Sequence, residues 1–270
     1  MALYLRPTTL DEALTAAAAR PFTILAGGTD HFPARADRHR DEDILDLSAL
    51  PGLRAIQSHP DHWLIPCGTT WTDLLQADLP PAFDALRQAA RQVGGRQVQN
   101  AGTLIGNVVN ASPAADGTPC LLALDAEIEL ASHTGTRRLP LATFVTAPRK
   151  TLLATGEIAT GLRIPRHPGT ARSSFGKLGA RAYLVISIVS VAVSIWREAG
   201  RIARARVAVG ACAPVPLRLP AAEAALLAGR GITADDLAPL SPIDDIRATA
   251  AYRRTAALEL LHRATAEVGA

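Results

Sequence analysis

The chain has 270 residues, with 28 Lys and Arg against 25 Asp and Glu for a formal charge of +3. That length holds one large domain or two ordinary ones with a full core, and with 4% aromatics and a single Met the core must be built from Ala, Leu, Val and Ile. The arginines are scattered without a basic run or interleaved aromatics, which argues against nucleic acid, and Met1 to Pro7 carry no secretory pattern, so a cytoplasmic location is expected.

Thr9 followed three residues later by Glu12 is a capping-box pattern, and the Ala-rich stretch from Leu10 to Arg20 reads as a helix. Phe22 to Ala26 reads as a short buried strand. The segment Ile24-Leu25-Ala26-Gly27-Gly28-Thr29-Asp30-His31 therefore falls at a strand end, where open βαβ units place ligand loops. Ile44 to Leu47 and His62 to Pro66 read as further strands. His59-Pro60-Asp61-His62 reads as a surface turn, because Pro60 and Asp61 favour one and no further metal ligands stand near. A helical stretch from Trp71 to Val93, interrupted at Pro80-Pro81, leads to a second Gly-rich loop, Asn100-Ala101-Gly102-Thr103-Leu104-Ile105-Gly106-Asn107.

Alternation in Ala126 to Leu130 and around Leu139 to Leu141, with Thr134-Gly135-Thr136 between them, predicts a hairpin. Glu157 to Ile164 reads as a strand ending at Pro165, and Arg166-His167-Pro168-Gly169 is the best linker candidate. Beyond it Ser173 to Lys177, Leu184 to Trp196 and Arg201 to Val209 read as three consecutive strands, the last two joined at Glu198-Ala199-Gly200. Helices follow at Ala221 to Ala228 and Asp245 to Val268, a meander-then-helices order that predicts a separate α+β domain. The apolar run from Leu184 to Trp196 contains three serines and falls short of the roughly 18 residues of a membrane span, so none is expected.

Both Gly-rich segments combine Gly with Thr, Asn or Asp and contain no Lys or Arg. Glycine lets the main chain take positive φ and approach a ligand closely, so successive N–H groups can converge on phosphate oxygens. Alone, Gly27-Gly28-Thr29-Asp30 reads better as a tight turn with an Asx-type hydrogen bond. Paired with the second segment, and with its continuation through Asn110-Ala111-Ser112-Pro113-Ala114-Ala115-Asp116, it reads as a two-part cradle for a diphosphate. Other phosphate and nucleophile motifs fail. There is no Gly-x-Gly-x-x-Gly and no Gly-x-Ser-x-Gly, and Gly176-Lys177 has Ala171 in place of the first P-loop Gly and Leu178 in place of Ser or Thr. Cys67, Cys120 and Cys212 are far apart, which argues against a metal or an iron–sulfur cluster held by this chain.

The ordered set Ala-Gly-Gly-Thr-Asp, Gln99-Asn100-Ala101-Gly102-Thr103, Gly106-Asn107 and Asn110 to Asp116 resembles the FAD-binding medium subunit of molybdenum hydroxylases. That family includes the flavoprotein subunits of carbon monoxide dehydrogenase and bacterial xanthine dehydrogenases. The likeness continues through Pro119 to Ala126, Arg149-Lys150-Thr151, Gly156-Glu157-Ile158, Phe175 to Arg181, and Ser241 to Arg247 with Tyr252-Arg253, nearly the whole chain. It implies an α+β fold: a two-lobed FAD-binding domain of the vanillyl-alcohol-oxidase (PCMH-like) type over residues 1–168, with lobes of about 1–55 and 56–168. A smaller α+β domain over 169–270, with a three-stranded antiparallel sheet and helices, would follow.

The resemblance implies FAD contacts from Ile24, Leu25, Ala26, Gly27, Gly28, Thr29, Asp30 and His31, and from Gly102, Thr103, Leu104, Ile105, Gly106 and Asn107. Asp116 would be a polar contact, and Ala159 and Lys177 would lie near the flavin, where a cation favours the anionic reduced form. No catalytic acid or base is expected in this chain. Three features depart from the family pattern: Ile105-Gly106-Asn107 stands where relatives have Gly-Gly-Asn, Ala159 replaces a larger aliphatic residue, and the Arg181 to Ser187 stretch is unlike the common pattern, with Tyr183 a candidate flavin cover. The implied role is electron transfer. Electrons would leave a molybdopterin cofactor in a large partner subunit, cross [2Fe-2S] clusters in a small one, reach FAD and pass to NAD or another acceptor, within a dimer of heterotrimers. Two other readings stay open: a stand-alone flavoprotein oxidase or dehydrogenase, and an assembly or scaffold subunit with a degenerate FAD site.

Overall fold

The computed structural model describes residues 2–35 and 41–269. Three short strands at the amino end pair in parallel, Tyr4–Leu5 and Thr23–Leu25 flanking Ile44–Asp46. The helix Leu10–Ala19 connects the first two strands. Its expected capping box forms: the Thr9 hydroxyl accepts from the Glu12 amide at 3.2 Å, and the Glu12 carboxylate accepts from the Thr9 amide at 3.3 Å. Tyr4–Leu5 was not expected, because two residues carry no periodicity. Pairing with Ile44–Asp46 and a hydrogen bond from the Tyr4 hydroxyl to Asp46 fix it in place.

A five-stranded antiparallel sheet follows, in the order Gln57–Ser58, His62–Pro66, Ile158–Pro165, Glu127–Ser132, Gly135–Pro140. It contains the expected hairpin, and His59 to Asp61 make the turn between its first two strands. The long helical stretch after it breaks into Trp71–Gln76, a tight turn at Pro81–Phe83, and Asp84–Gln92. Pro80 and Pro81 cannot donate main-chain hydrogen bonds, so the helix restarts after them.

The second Gly-rich segment is not the loop that its composition predicts. It forms two short helices, Arg96–Ala101 and Leu104–Val109, separated at Gly102-Thr103. The break is made by tertiary hydrogen bonds, since Trp71 N donates to Gly102 O at 3.2 Å and Leu104 N donates to Thr69 O at 3.1 Å. Thr103 then caps the second helix by accepting from Gly106 N at 3.0 Å.

The carboxyl-terminal part is an antiparallel sheet of Thr170–Leu178, Val189–Glu198 and Arg201–Gly210, to which the two-residue strand Leu217–Arg218 adds a fourth member. The helices Pro220–Leu227 and Ala250–Glu267 cover one face. The last helix starts at Ala250, five residues later than its sequence predicts, capped by Thr249, whose hydroxyl accepts from Tyr252 N at 3.2 Å. Asp245 is instead used before the helix, accepting from Arg247 N at 2.8 Å and from the Arg253 guanidinium at 2.7 Å. The middle strand starts at Val189, not Leu184, and residues 179–187 form a loop. No helix among the described residues is long and apolar enough to cross a membrane.

Two hydrophobic clusters follow from this arrangement. One runs from Ala13 to Ile164 and reaches across to Phe175, Ala192 and Ala208, while the other holds Ile188 to Val268. Strand alternation explains the split. Val189, Val191, Val193 and Ile195 face the terminal helices, and Ala192 between them faces the first cluster.

An ion network crosses the same seam. Asp125 accepts from Arg206 at 2.7 Å and Arg218 at 2.8 Å, with His167 at 3.0 Å, and Arg218 also holds Glu223. Burial raises the Asp125 carboxyl pKa, but the Arg206 hydrogen bond and the surrounding positive charge outweigh it and hold the group below its usual 3.8. Asp125→Ala therefore costs about 2 kcal/mol at neutral pH by removing the carboxylate that Arg206 and Arg218 share and leaving Glu223 as the one acid between them. Because the folded-state value is depressed, this stabilisation is complete above the unfolded pKa and disappears as pH falls through the folded one. Denaturant unfolding of both proteins should show the gap at pH 7 and its narrowing below pH 4.

Candidate functional site

The strand Thr23–Leu25 delivers the chain to Gly27 and Gly28, and each glycine is required for a separate reason. A Cβ on Gly27 would lie 1.8 Å from the Ala101 carbonyl oxygen, so only hydrogen fits between these two backbones. Gly28 has φ of +67°, and a Cβ there would meet the Phe32 ring at 2.6 Å. Gly102 faces them from the second segment, where a Cβ would lie 3.0 Å from Thr29 Oγ1. The two glycine segments, some seventy residues apart in sequence, are thus in direct contact.

Among the described residues, the amides of Gly27, Gly28, Thr29, Asp30 and His31 have no acceptor in the protein. The amides of Thr103 and Ile105 are in the same condition. Gly27 to His31 are half-buried or, at Asp30, exposed, and main-chain donors that a ligand would cover need partners. All seven residues line one cleft of about 610 Å³.

That cleft also takes in Ile24, Leu25, Ala26, Gly106, Asn107, Asp116, Ala159 and Lys177. Of the residues picked from sequence, Gly102 and Leu104 do not reach its wall. Leu104 is fully buried in the core and Gly102 is used against Thr29 and Val98. Ile105 sits in the first turn of a helix and is 4% exposed, so its branched side chain packs into the core and its amide is left at the wall. Asn107 Oδ1 is buried there without a hydrogen-bond partner among the described residues. Tyr183 is 70% exposed and does not line the cleft, where the wall is formed instead by Val185, Ile186 and Ser187.

Lys177 is not a free charge. Its ammonium donates to Asp116 Oδ2 at 2.6 Å, with the two side chains 5% and 7% exposed, and Ser187 donates to Asp116 Oδ1 at 2.5 Å. This trio ties the strand Thr170–Leu178 and the 179–187 loop to residues on the first cluster's side of the seam. At the other end, Arg35 donates to His31 Nδ1 at 2.6 Å and to Glu42 at 2.7 Å. Cys67 also lines the cleft, and burial pushes its thiol up to about 11, so it remains a neutral apolar wall.

The sequence reading missed Arg35, Arg149 and Ser187. Arg149 has φ of +61° and donates to the Asn110 carbonyl at 3.2 Å, a placement no local pattern encodes. Ser187 fell in the apolar run from Leu184 and at the end of the atypical Arg181 to Ser187 stretch, neither of which singled it out.

The model of the FAD-binding domain of molybdopterin dehydrogenases matches residues 1–167, and that of the carbon monoxide dehydrogenase flavoprotein C-terminal domain matches 175–268. The chain belongs to the family of FAD-binding flavoprotein subunits of molybdenum hydroxylases. It is 33% identical over 229 residues to the xanthine dehydrogenase FAD-binding subunit of Escherichia coli O157:H7, covering 82% of this chain and 78% of the relative. It is 32% identical over 249 residues to the nicotinate dehydrogenase FAD-subunit of Eubacterium barkeri, covering 89% and 84%. Among solved structures it is similar to a chain of carbon monoxide dehydrogenase from Hydrogenophaga pseudoflava, with a TM-score of 0.90, 27% identity, and coverage of 99% of this chain and 96% of that one.

The glycine contact gives a direct test. Gly27→Ala should lower unfolding free energy by about 3 kcal/mol through a backbone clash that no rotamer change relieves. Gly52→Ala, at φ of +72° with nothing within 4 Å, should cost only about 1 kcal/mol. Denaturant midpoints of the two variants decide it.

Proposed function

We propose that the cleft holds FAD and that this chain carries electrons between partner subunits and an external acceptor. One observation carries the reading: five successive amides, Gly27 to His31, lack acceptors among the described residues, beside a glycine contact that keeps side chains out of the way. Such a row suits the oxygens of a diphosphate. The amides of Thr103 and Ile105 approach from the second segment, and the orphaned Asn107 Oδ1 suits a ligand hydroxyl or ring N–H. Ile24 to Ala26, Gly106 and Ala159 supply apolar wall.

FAD, when bound, supplies the electron-carrying chemistry, and the protein supplies position and electrostatics. Lys177 would face the flavin as half of an ion pair, so its charge is offset by Asp116 and locked in orientation by Ser187. The relatives named above are FAD subunits of dehydrogenases, which supports placing this chain in a complex with a large molybdopterin-binding subunit and a small [2Fe-2S] subunit, as a dimer of heterotrimers. NAD, or an acceptor of similar chemistry, would take the electrons. Residues 1–168 and 169–270 would act as the cofactor domain and its C-terminal partner domain. The isolated chain should carry flavin yet oxidise no organic substrate, and rapid turnover without partner chains would contradict the reading.

The ion pair yields a signed prediction. Lys177→Met leaves a carboxylate beside the flavin and should lower its reduction potential, whereas Asp116→Asn leaves an ammonium and should raise it. Spectroelectrochemical titration reads both. Equal potentials in the two variants would remove the pair from the flavin's surroundings.

A further inference from the structure

The linker Arg166-His167-Pro168-Gly169, singled out in the sequence and unused by the flavin cleft, borders a second cavity of about 770 Å³. It shares no lining residue with the first. Its walls come from both sides of the seam: the strand His62–Pro66, the Pro81–Phe83 turn, the ends of Ile158–Pro165 and Thr170–Leu178, and the strand Val189–Glu198. This volume and this position between domains are those of small-molecule sites.

Two aromatic pairs form its apolar part. Trp63 meets Phe83 edge to face at 5.8 Å, and Trp196 meets His167 at 5.1 Å. Arginines form the polar part. Arg166 lies over the Trp63 ring at 4.3 Å and donates only to the His59 carbonyl and the Ser58 hydroxyl, at 2.8 and 2.6 Å. Arg172 has no hydrogen-bond or ion-pair partner among the described residues, and Arg197 donates to main-chain carbonyls. No described Asp or Glu lines the cavity. Around Asp125, on the same seam, arginines are by contrast matched to carboxylates.

We infer that this cavity binds a nucleotide-like anion, a planar ring carrying phosphate, independently of the flavin. Guanidiniums present parallel N–H donors that match phosphate oxygens, and guanidiniums and indoles both stack on planar rings. An apolar body without charge would leave the arginines unmatched.

Calorimetric titration of the flavin-loaded full chain with AMP, ADP and inorganic phosphate tests this, with absorbance monitored for flavin loss. AMP and ADP should bind saturably, and phosphate alone at least tenfold more weakly. Arg172→Glu, a change at an exposed position, should weaken AMP binding at least tenfold with flavin content unchanged. Absence of saturable nucleotide binding at millimolar concentration, binding unaltered by Arg172→Glu, or binding that proceeds by displacing flavin would each overturn the assignment. Phosphate binding as tightly as AMP would also overturn it, reducing the site to an anion pocket. None of these outcomes bears on whether the first cleft holds FAD.

Discussion

With only hydrogen as its side chain, Gly27 lets the turn after Thr23–Leu25 lie against the Ala101 carbonyl, and Gly102 lets the helix break lie against Thr29. This contact joins the parallel sheet at the amino end to the helices inserted between the strands His62–Pro66 and Glu127–Ser132 of the five-stranded sheet. It also sets which main-chain groups are left over. The turn closes through Phe32 N donating to Gly28 O at 3.1 Å, which leaves the amides of Gly27 to His31 on the cleft wall without an acceptor among the described residues. Packing and ligand chemistry thus come from one steric fact.

The opposite wall is set by electrostatics. Asp116 lies just before the helix Gly117–Leu122, Lys177 on a strand across the seam, and Ser187 on the loop that follows. With both charges almost wholly buried, the pair is costly unless its geometry is held. Three elements converge to hold it. The result is a polar wall whose net charge is near zero and whose orientation depends on how the two parts of the chain dock. The Asp125 network, farther along the seam, fixes the same docking from outside the cleft.

Much of this was legible in the residues. The capping box at Thr9, the hairpin at Glu127–Ser132 and Gly135–Pro140, and the three long C-terminal strands follow from local pattern. So does the pairing of two glycine segments. Elements decided by tertiary bonds were not legible. The second segment is helical on both sides of Gly102-Thr103 because Trp71 and Thr69 bond to it, and the last helix waits for Thr249 because Asp245 pins the turn before it. Lys177 shows the same limit at the site. Its position was expected from the family likeness, but its pairing with Asp116, sixty-one residues away, belongs to the fold.

Amide hydrogen exchange at Gly27 to His31 tests the central idea most directly, comparing flavin-loaded protein with protein stripped of flavin. These donors have no acceptor within the described chain, so a bound diphosphate is what would protect them. The account predicts slow exchange at these positions in the loaded protein and fast exchange in the stripped one, with the buried strands unchanged. Equal exchange in both forms, with flavin demonstrably bound, would contradict it.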